Sequence, residues 1–269
     1  MAQDPIEFPP AIVELCMKQG MVVLAALLFV GRMASGQSAA EHVAMGDRDH
    51  TALNLVSAVK HYEAALAADP RSFEALIKAA HDAVDLGEFD PSEQQRDTLY
   101  KKAEDYARRA IAVNPNDTEG HFELARAIGR RALTMGKRDQ VKFAGVVHDE
   151  AMQVLKINPK HAGAMHVMGV WNQHIMQLNG LTRMIAKNLL GGKVFGEANW
   201  DNARKYLEDA VALEPNRITH RLDLGRVYAD RDDKVKAREQ FEWIVKAPII
   251  DFNDGHYKQE AEKALKELR

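Results

Sequence analysis

Residues 215–248 read PNRITHRLDLGRVYADRDDKVKAREQFEWIVKAP, with Pro215 and Pro248 standing 33 positions apart. It has the make-up of one helical hairpin. Gly225 and Ala237 are small enough to let two helix backbones approach, while Tyr228 and Phe241 fill the gap beside them. Pro248 stops the second helix because proline lacks an N–H and disfavours helical geometry in the residue before it. Working outward, Pro70, Pro115, Pro159 and Pro215 are spaced by 45, 44 and 56 residues and share a register. Twelve, eight and five residues before them stand Ala58, Tyr62 and Ala65; Ala103, Ala107 and Ala110; Val147, Ala151 and Val154; and Ala203, Leu207 and Ala210. Six, nine and ten residues after them stand Leu76, Ala79 and Ala80; His121, Leu124 and Ala125; Met165, Met168 and Gly169; and Arg221, Leu224 and Gly225. The pair at nine and ten is small or apolar every time, as hairpins that share a core require. Asp69, Asn114, Asn158 and Glu214 therefore fall at helix ends.

Leu224, Gly225, Tyr228, Ala237, Phe241 and Pro248 resemble the tetratricopeptide repeat. The resemblance implies an all-α, right-handed superhelical solenoid of helical hairpins, closed by a C-terminal capping helix. Hairpins are expected at about 72–114, 117–158, 161–214 and 217–247, followed by an amphipathic cap at about 255–268. That cap turns Tyr257, Ala261, Ala264, Leu265 and Leu268 inward, as the end of an open stack requires. Residues 53–269 form the repeat domain. Residues 37–52 are polar and read as a flexible, frayed lead-in, leaving the helix at 53–68 without a good partner. Pro91 sits in a plain connection from about Gly87 to Gln95. The longest insertion, about residues 179–198, carries Leu181, Met184, Ile185, Leu189 and Leu190 at helical spacing. Gly191 and Gly192 break it, and Asn199 caps the helix that starts at Trp200.

From about residue 160 to 268 the long leading helix, the leucine–glycine break, the aromatic helix start, and the run from Pro248 and Asp251 to Ala261 and Leu265 resemble the regulator-of-microtubule-dynamics family. Its relatives are cytoskeleton- or membrane-contact-associated adaptors, so this resemblance implies binding rather than chemistry.

By the repeat family's usual arrangement, residues 4, 7, 11, 14 and 15 past each proline point into the concave groove. The candidate ligand-binding residues are Ile77, His81, Phe122, Arg126, Arg130, His166, Val170, His174, Leu222 and Arg226. Lysine and asparagine at the seventh and eleventh positions would resemble the carboxylate clamp that grips acidic chaperone tails, but Ile77, Phe122, His166 and Leu222 hold the seventh. The mixed lining suits an extended or helical peptide with an anionic and an apolar component. A simpler reading is that the arginines pair with nearby acids or face water. An alternative ligand is a lipid or other amphiphile, with the apolar insertion and Arg183, Lys187 and Lys193 in peripheral membrane contact.

The 269 residues carry 36 basic and 39 acidic side chains, a formal charge of −3, which offers no global attraction for nucleic acid. The only cysteine, Cys16, precedes the repeats, so no disulfide framework forms within the chain. Met21–Val30 is apolar, follows Lys18 and precedes Ala34, Ser35 and Gly36. It reads as a signal peptide over residues 17–36 with cleavage near Gln37. A spanning helix needs about 20 apolar residues, and an uncleaved anchor is the alternative. Residues 1–16 then lie upstream or derive from a vector, and the protein is expected to be exported, periplasmic or secreted.

No catalytic signature emerges. His161, His166 and His174 are five and eight residues apart and share no tight metal-ligand face. Gly191, Gly192, Lys193 and Gly196 follow no strand and lack the hydroxyl of a phosphate loop. Asp149 and Glu150 are adjacent and point to different helix faces. A non-catalytic binding protein without cofactor or metal is the reading, with a protein or peptide as partner.

Overall fold

The computed structural model describes residues 37–180 and 193–268. The expected signal segment, the residues before it, and the central part of the insertion lie outside the described residues. Among the described residues are eleven α-helices: α1 Ala39–Thr51, α2 Leu55–Ala68, α3 Phe73–Glu88, α4 Glu93–Val113, α5 Thr118–Leu133, α6 Lys137–Ile157, α7 Ala162–Gln177, α8 Trp200–Leu213, α9 Ile218–Asp230, α10 Lys234–Lys246 and α11 Asp254–Glu267. Consecutive pairs from α1/α2 to α9/α10 make five hairpins stacked as an all-α solenoid, with α11 packed on the last. None of these helices is long and apolar enough to cross a membrane.

Each second helix ends where proline dictates. Asp69, Asn114, Asn158 and Glu214 are the C-caps of α2, α4, α6 and α8, each donating its backbone N–H to the carbonyl four residues back. First helices start on side-chain caps: Ser72 accepts from the Ala75 N–H, Asp117 from the Glu119 N–H, and His161 Nδ1 from the Ala164 N–H. Asn199 caps α8 as expected, accepting from the Asn202 N–H at 2.7 Å.

The lead-in expected at 37–52 is instead a full helix, α1, so the first hairpin is complete. Its missing proline hid it, but its register matches the last hairpin. Gly46 stands 16 residues before Tyr62, as Gly225 stands 16 before Phe241. The turns match as well. Leu53 and Asp232, each seven residues past its glycine, adopt left-handed φ values of 58° and 60°. The next residues, Asn54 and Asp233, then cap the second helix. The Asn54 N–H reaches the Asp49 carbonyl, and the Asp233 N–H reaches the Tyr228 carbonyl.

Where first and second helices cross, volume is conserved across the pair. A Cβ on Gly46 would lie 2.3 Å from the Tyr62 ring, one on Gly169 2.5 Å from Leu207, and one on Gly225 2.5 Å from Phe241. The corresponding places in the second and third hairpins hold Ala80 with Ala107 and Ala125 with Ala151, all buried. Glycine opposite a large side chain, or alanine opposite alanine, keeps interior density without strain.

The stack does not end open. α11 buries Tyr257 and Ala261 against the last hairpin, as its amphipathic pattern requires. Its start also reaches back to α3. Asn253 donates from Nδ2 to the Asp85 carbonyl at 2.9 Å, Tyr257 donates its hydroxyl to Glu88 at 2.8 Å, and the His256 ring stacks on Phe89 with centroids 4.4 Å apart. Asp251, Asn253 and Tyr257 thereby form one wall of the concave side.

Candidate interaction groove

Helices α3, α5, α7 and α9 turn one face each toward a cavity of about 1030 Å³. His81, Phe122, Arg126, Arg130, His166, Val170, His174, Leu222 and Arg226 line it. Leu222 does so from below the surface, since it is 2% exposed and packs in the core of the last hairpins. Ile77 lies elsewhere, in a smaller recess of about 460 Å³ with Asp47, His50 and Lys78 from the first two hairpins. Residues outside the offset rule complete the wall: Val141, Ala144 and Val147 from α6, Val167 and Trp171 from α7, and Asp251, Asn253 and Tyr257 from the closing segment.

The arginines are engaged within the chain. Arg126 donates to Asp85 at 2.5 Å and to Glu123 at 2.8 Å, Arg130 lies 2.6 Å from Glu88, and Arg226 bridges Asp223 at 2.7 Å and Glu260 at 2.6 Å. His81 joins the first cluster, with Nδ1 at 2.8 Å from Glu123 and Nε2 at 3.3 Å from Asp85. Burial and the nearby Arg126 charge push the His81 pKa down, but the two carboxylates outweigh them and raise it to about 10. Burial alone would raise the Asp85 carboxyl, yet Arg126 and His81 hold it well below the usual carboxylate range. An anionic component in the ligand therefore has no spare arginine here to meet it. The simpler reading, arginines paired with acids, is the one observed.

What remains toward the cavity is largely apolar. Phe122 lies flat enough on α7 that a Cβ on Gly163 would meet its ring at 2.4 Å, and it packs against His161 with centroids 4.7 Å apart. Val167 and Val170 continue this strip toward Trp171, whose indole N–H donates to the Ala144 carbonyl at 2.8 Å. The described end of the insertion supports this floor: Phe195, in the 3-10 turn Lys193–Gly196, is buried against Trp171. His174 opens onto the cavity, whose desolvating walls lower its pKa.

The three histidines of α7 part company. His161 caps its own helix and meets Glu119 at 3.1 Å, while His166 turns to α9. There His166 Nδ1 and His220 Nδ1 stand 2.6 Å apart, with Asp223 on His166 Nε2 at 2.9 Å and Glu214 on His220 Nε2 at 3.1 Å. A tetrahedral zinc with nitrogens at about 2.0–2.1 Å would hold the two Nδ1 atoms about 3.3 Å apart, so the 2.6 Å spacing is that of a direct hydrogen-bond contact and leaves no room for a bridging metal. Among the described residues no three His, Cys, Asp or Glu side chains are grouped to hold a metal ion.

The family described as "Regulator of microtubule dynamics protein 1-3" matches residues 38–269. The chain is 27% identical to regulator of microtubule dynamics protein 1 of Mus musculus over 194 residues, 71% of this chain and 61% of that protein. It is 26% identical to the Bos taurus protein over 195 residues, 72% of this chain and 59% of that one. The matches thus span about three fifths of these relatives' length. Among solved structures, TTC0263, a thermophilic TPR protein of Thermus thermophilus, superposes with a TM-score of 0.60 at 18% identity. It covers 84% of this chain and 99% of its own, a likeness of fold.

Proposed function

The chain belongs to the regulator of microtubule dynamics protein 1-3 family, and we propose that it is a non-catalytic interaction scaffold that holds a segment of a partner protein in its concave groove. The segment is amphipathic, laying apolar side chains along Phe122, Val167 and Val170. The observation that carries this is the contrast within the lining: Arg126, Arg130 and Arg226 are neutralised by carboxylates of the chain itself, while the half-buried apolar strip between them borders the cavity with no such partner. A paired charge contributes little to binding, whereas apolar area removed from water contributes about 25 cal/mol per Å².

The test is capture of partners from the native host, reduction of a partner to its binding segment, and titration of that segment against wild type and Val170→Asp. Val170 is half-buried on the cavity side, so the variant should fold with an unchanged circular dichroism spectrum and bind at least about tenfold more weakly. Equal affinity would place the segment elsewhere. Charge reversal at Arg126 is the wrong probe, because it would report folding. We further propose export, from the apolar run Met21–Val30 ahead of Ala34–Gly36. Amino-terminal sequencing of the mature protein should begin near Gln37, and a start at residue 1 or 17 would overturn this.

A further inference from the structure

The His166–His220 contact joins neighbouring hairpins at the groove wall, one ring from α7 and one from α9. Both Nε2 atoms face carboxylates, Asp223 and Glu214, and so carry their hydrogens there. That leaves two Nδ1 lone pairs pointing at each other across 2.6 Å. With no proton between them they repel. With one, the pair is an imidazole–imidazolium hydrogen bond. With two, N–H is driven against N–H, and the rings must part.

We propose that His166 and His220 hold a single shared proton at neutral pH, and that uptake of a second separates α7 from α9 and opens the groove in acid. Charged groups surround the pair on every side. Asp223 and Glu214 attract the first proton. Arg226, shared with Glu260, lies on Asp223, and Arg217, held by Asp251 at 2.5 Å, stands near His220 and Glu214. What opposes the second proton is therefore the 2.6 Å contact between the two Nδ1 atoms. Arg130 on α5 contributes to the field at Asp223, and His161 at the start of α7 to that at Glu214. Burial lowers the His220 pKa to about 4, with His166 adding to the effect, in keeping with a second proton that enters late. The consequence for a bound segment rests on the groove reading. The separation of the helices does not.

The experiment therefore needs no ligand. Lys160 and Asn216 are exposed just ahead of α7 and α9 and accept spin labels as Lys160→Cys and Asn216→Cys on a Cys16→Ser background. The label distance should stay constant from about pH 8 to 6 and lengthen reversibly toward about pH 4, the range in which buried histidines are forced to charge. In His166→Gln, which removes one ring of the pair and leaves His220 in place, the distance should not respond. Imidazole ¹⁵N spectra near pH 7 should show one charged ring and one neutral ring with a bare Nδ1. Two rings titrating independently near the ordinary histidine value, or a label distance blind to acid in the wild type, would overturn the proposal. Loss of segment binding at neutral pH in Val170→Asp would leave it standing.

Discussion

The terminal hairpins α1/α2 and α9/α10 and the central hairpins α3/α4 and α5/α6 solve the same packing problem differently. The terminal pairs are short, turn through a left-handed residue, and set glycine against an aromatic ring: Gly46 on Tyr62 and Gly225 on Phe241. At the equivalent crossing the central pairs set alanine against alanine, with Gly87 on the Tyr100 ring further along α3, and they extend α4 and α6 to 21 residues each. They also hold the more deeply buried charges. In Arg126, Asp85 and Glu123 the side chains are 16%, 9% and 3% exposed, whereas Arg226 at the terminal end is 44% exposed. The ends of the array thus rest on shape, and its middle on shape combined with a closed set of ion pairs.

The sharpest way to break that contrast is Arg126→Met. It strands Asp85 and Glu123 in the interior and should cost about 3–5 kcal/mol, read as a lowered urea midpoint. Arg226→Met removes a cation that is 44% exposed and leaves the buried Asp223 still paired with His166, so it should cost less, about 1–2 kcal/mol; equal losses would erase the distinction. At the terminal end, Tyr62→Ala opens a cavity and frees Asp47 from the Tyr62 hydroxyl, for about 3–5 kcal/mol. Ala107→Gly, its central counterpart, should cost about 1 kcal/mol through backbone entropy. Gly225→Val forces a side chain into Phe241 and should lose about 1–3 kcal/mol, most of it recovered by adding Phe241→Ala.

A smaller effect sharpens the role of charge in the middle. The His81 pKa is raised from 6.5 to about 10 in the folded state, so the stability it contributes is complete below pH 6.5 and fades as pH climbs through 10. Thermal melts from pH 6.5 to 10 should decline more steeply for wild type than for His81→Gln. The smallest effect concerns the shared turn. Leucine in the left-handed region is strained by about 1–2 kcal/mol, so Leu53→Gly should stabilise slightly, by under about 1 kcal/mol once glycine's greater unfolded entropy is subtracted. Asp232→Gly should gain less, because aspartate tolerates that geometry.

Much of this architecture is legible along the chain because repeat packing is short-ranged. The residues twelve, eight and five before each proline are buried throughout, from Ala58, Tyr62 and Ala65 to Ala203, Leu207 and Ala210. α1 escapes a proline-indexed reading, yet the interval from Gly46 to Ala58 and Tyr62 repeats that from Gly225 to Ala237 and Phe241 and would have revealed it. The groove offsets bring nine of ten candidate residues to one cavity because each depends only on helical phase. Ile77 falls outside it, in the smaller recess, and Leu222 lies beneath the surface. The pairing of Arg126 with Asp85 was hidden for a plainer reason. The partners are 41 residues apart, and no local pattern ties them. Arg226 with Asp223, three residues back on the same helix, was open to inspection.

The hydrogen bond from Asn253 to the Asp85 carbonyl spans 168 positions. A linear array can fray from either terminus, each unit answering only to its neighbours. Tying the tail to α3 couples distant units, so damage to α11 should be felt at the second hairpin, and the late closure of so long a loop should slow the last stage of folding.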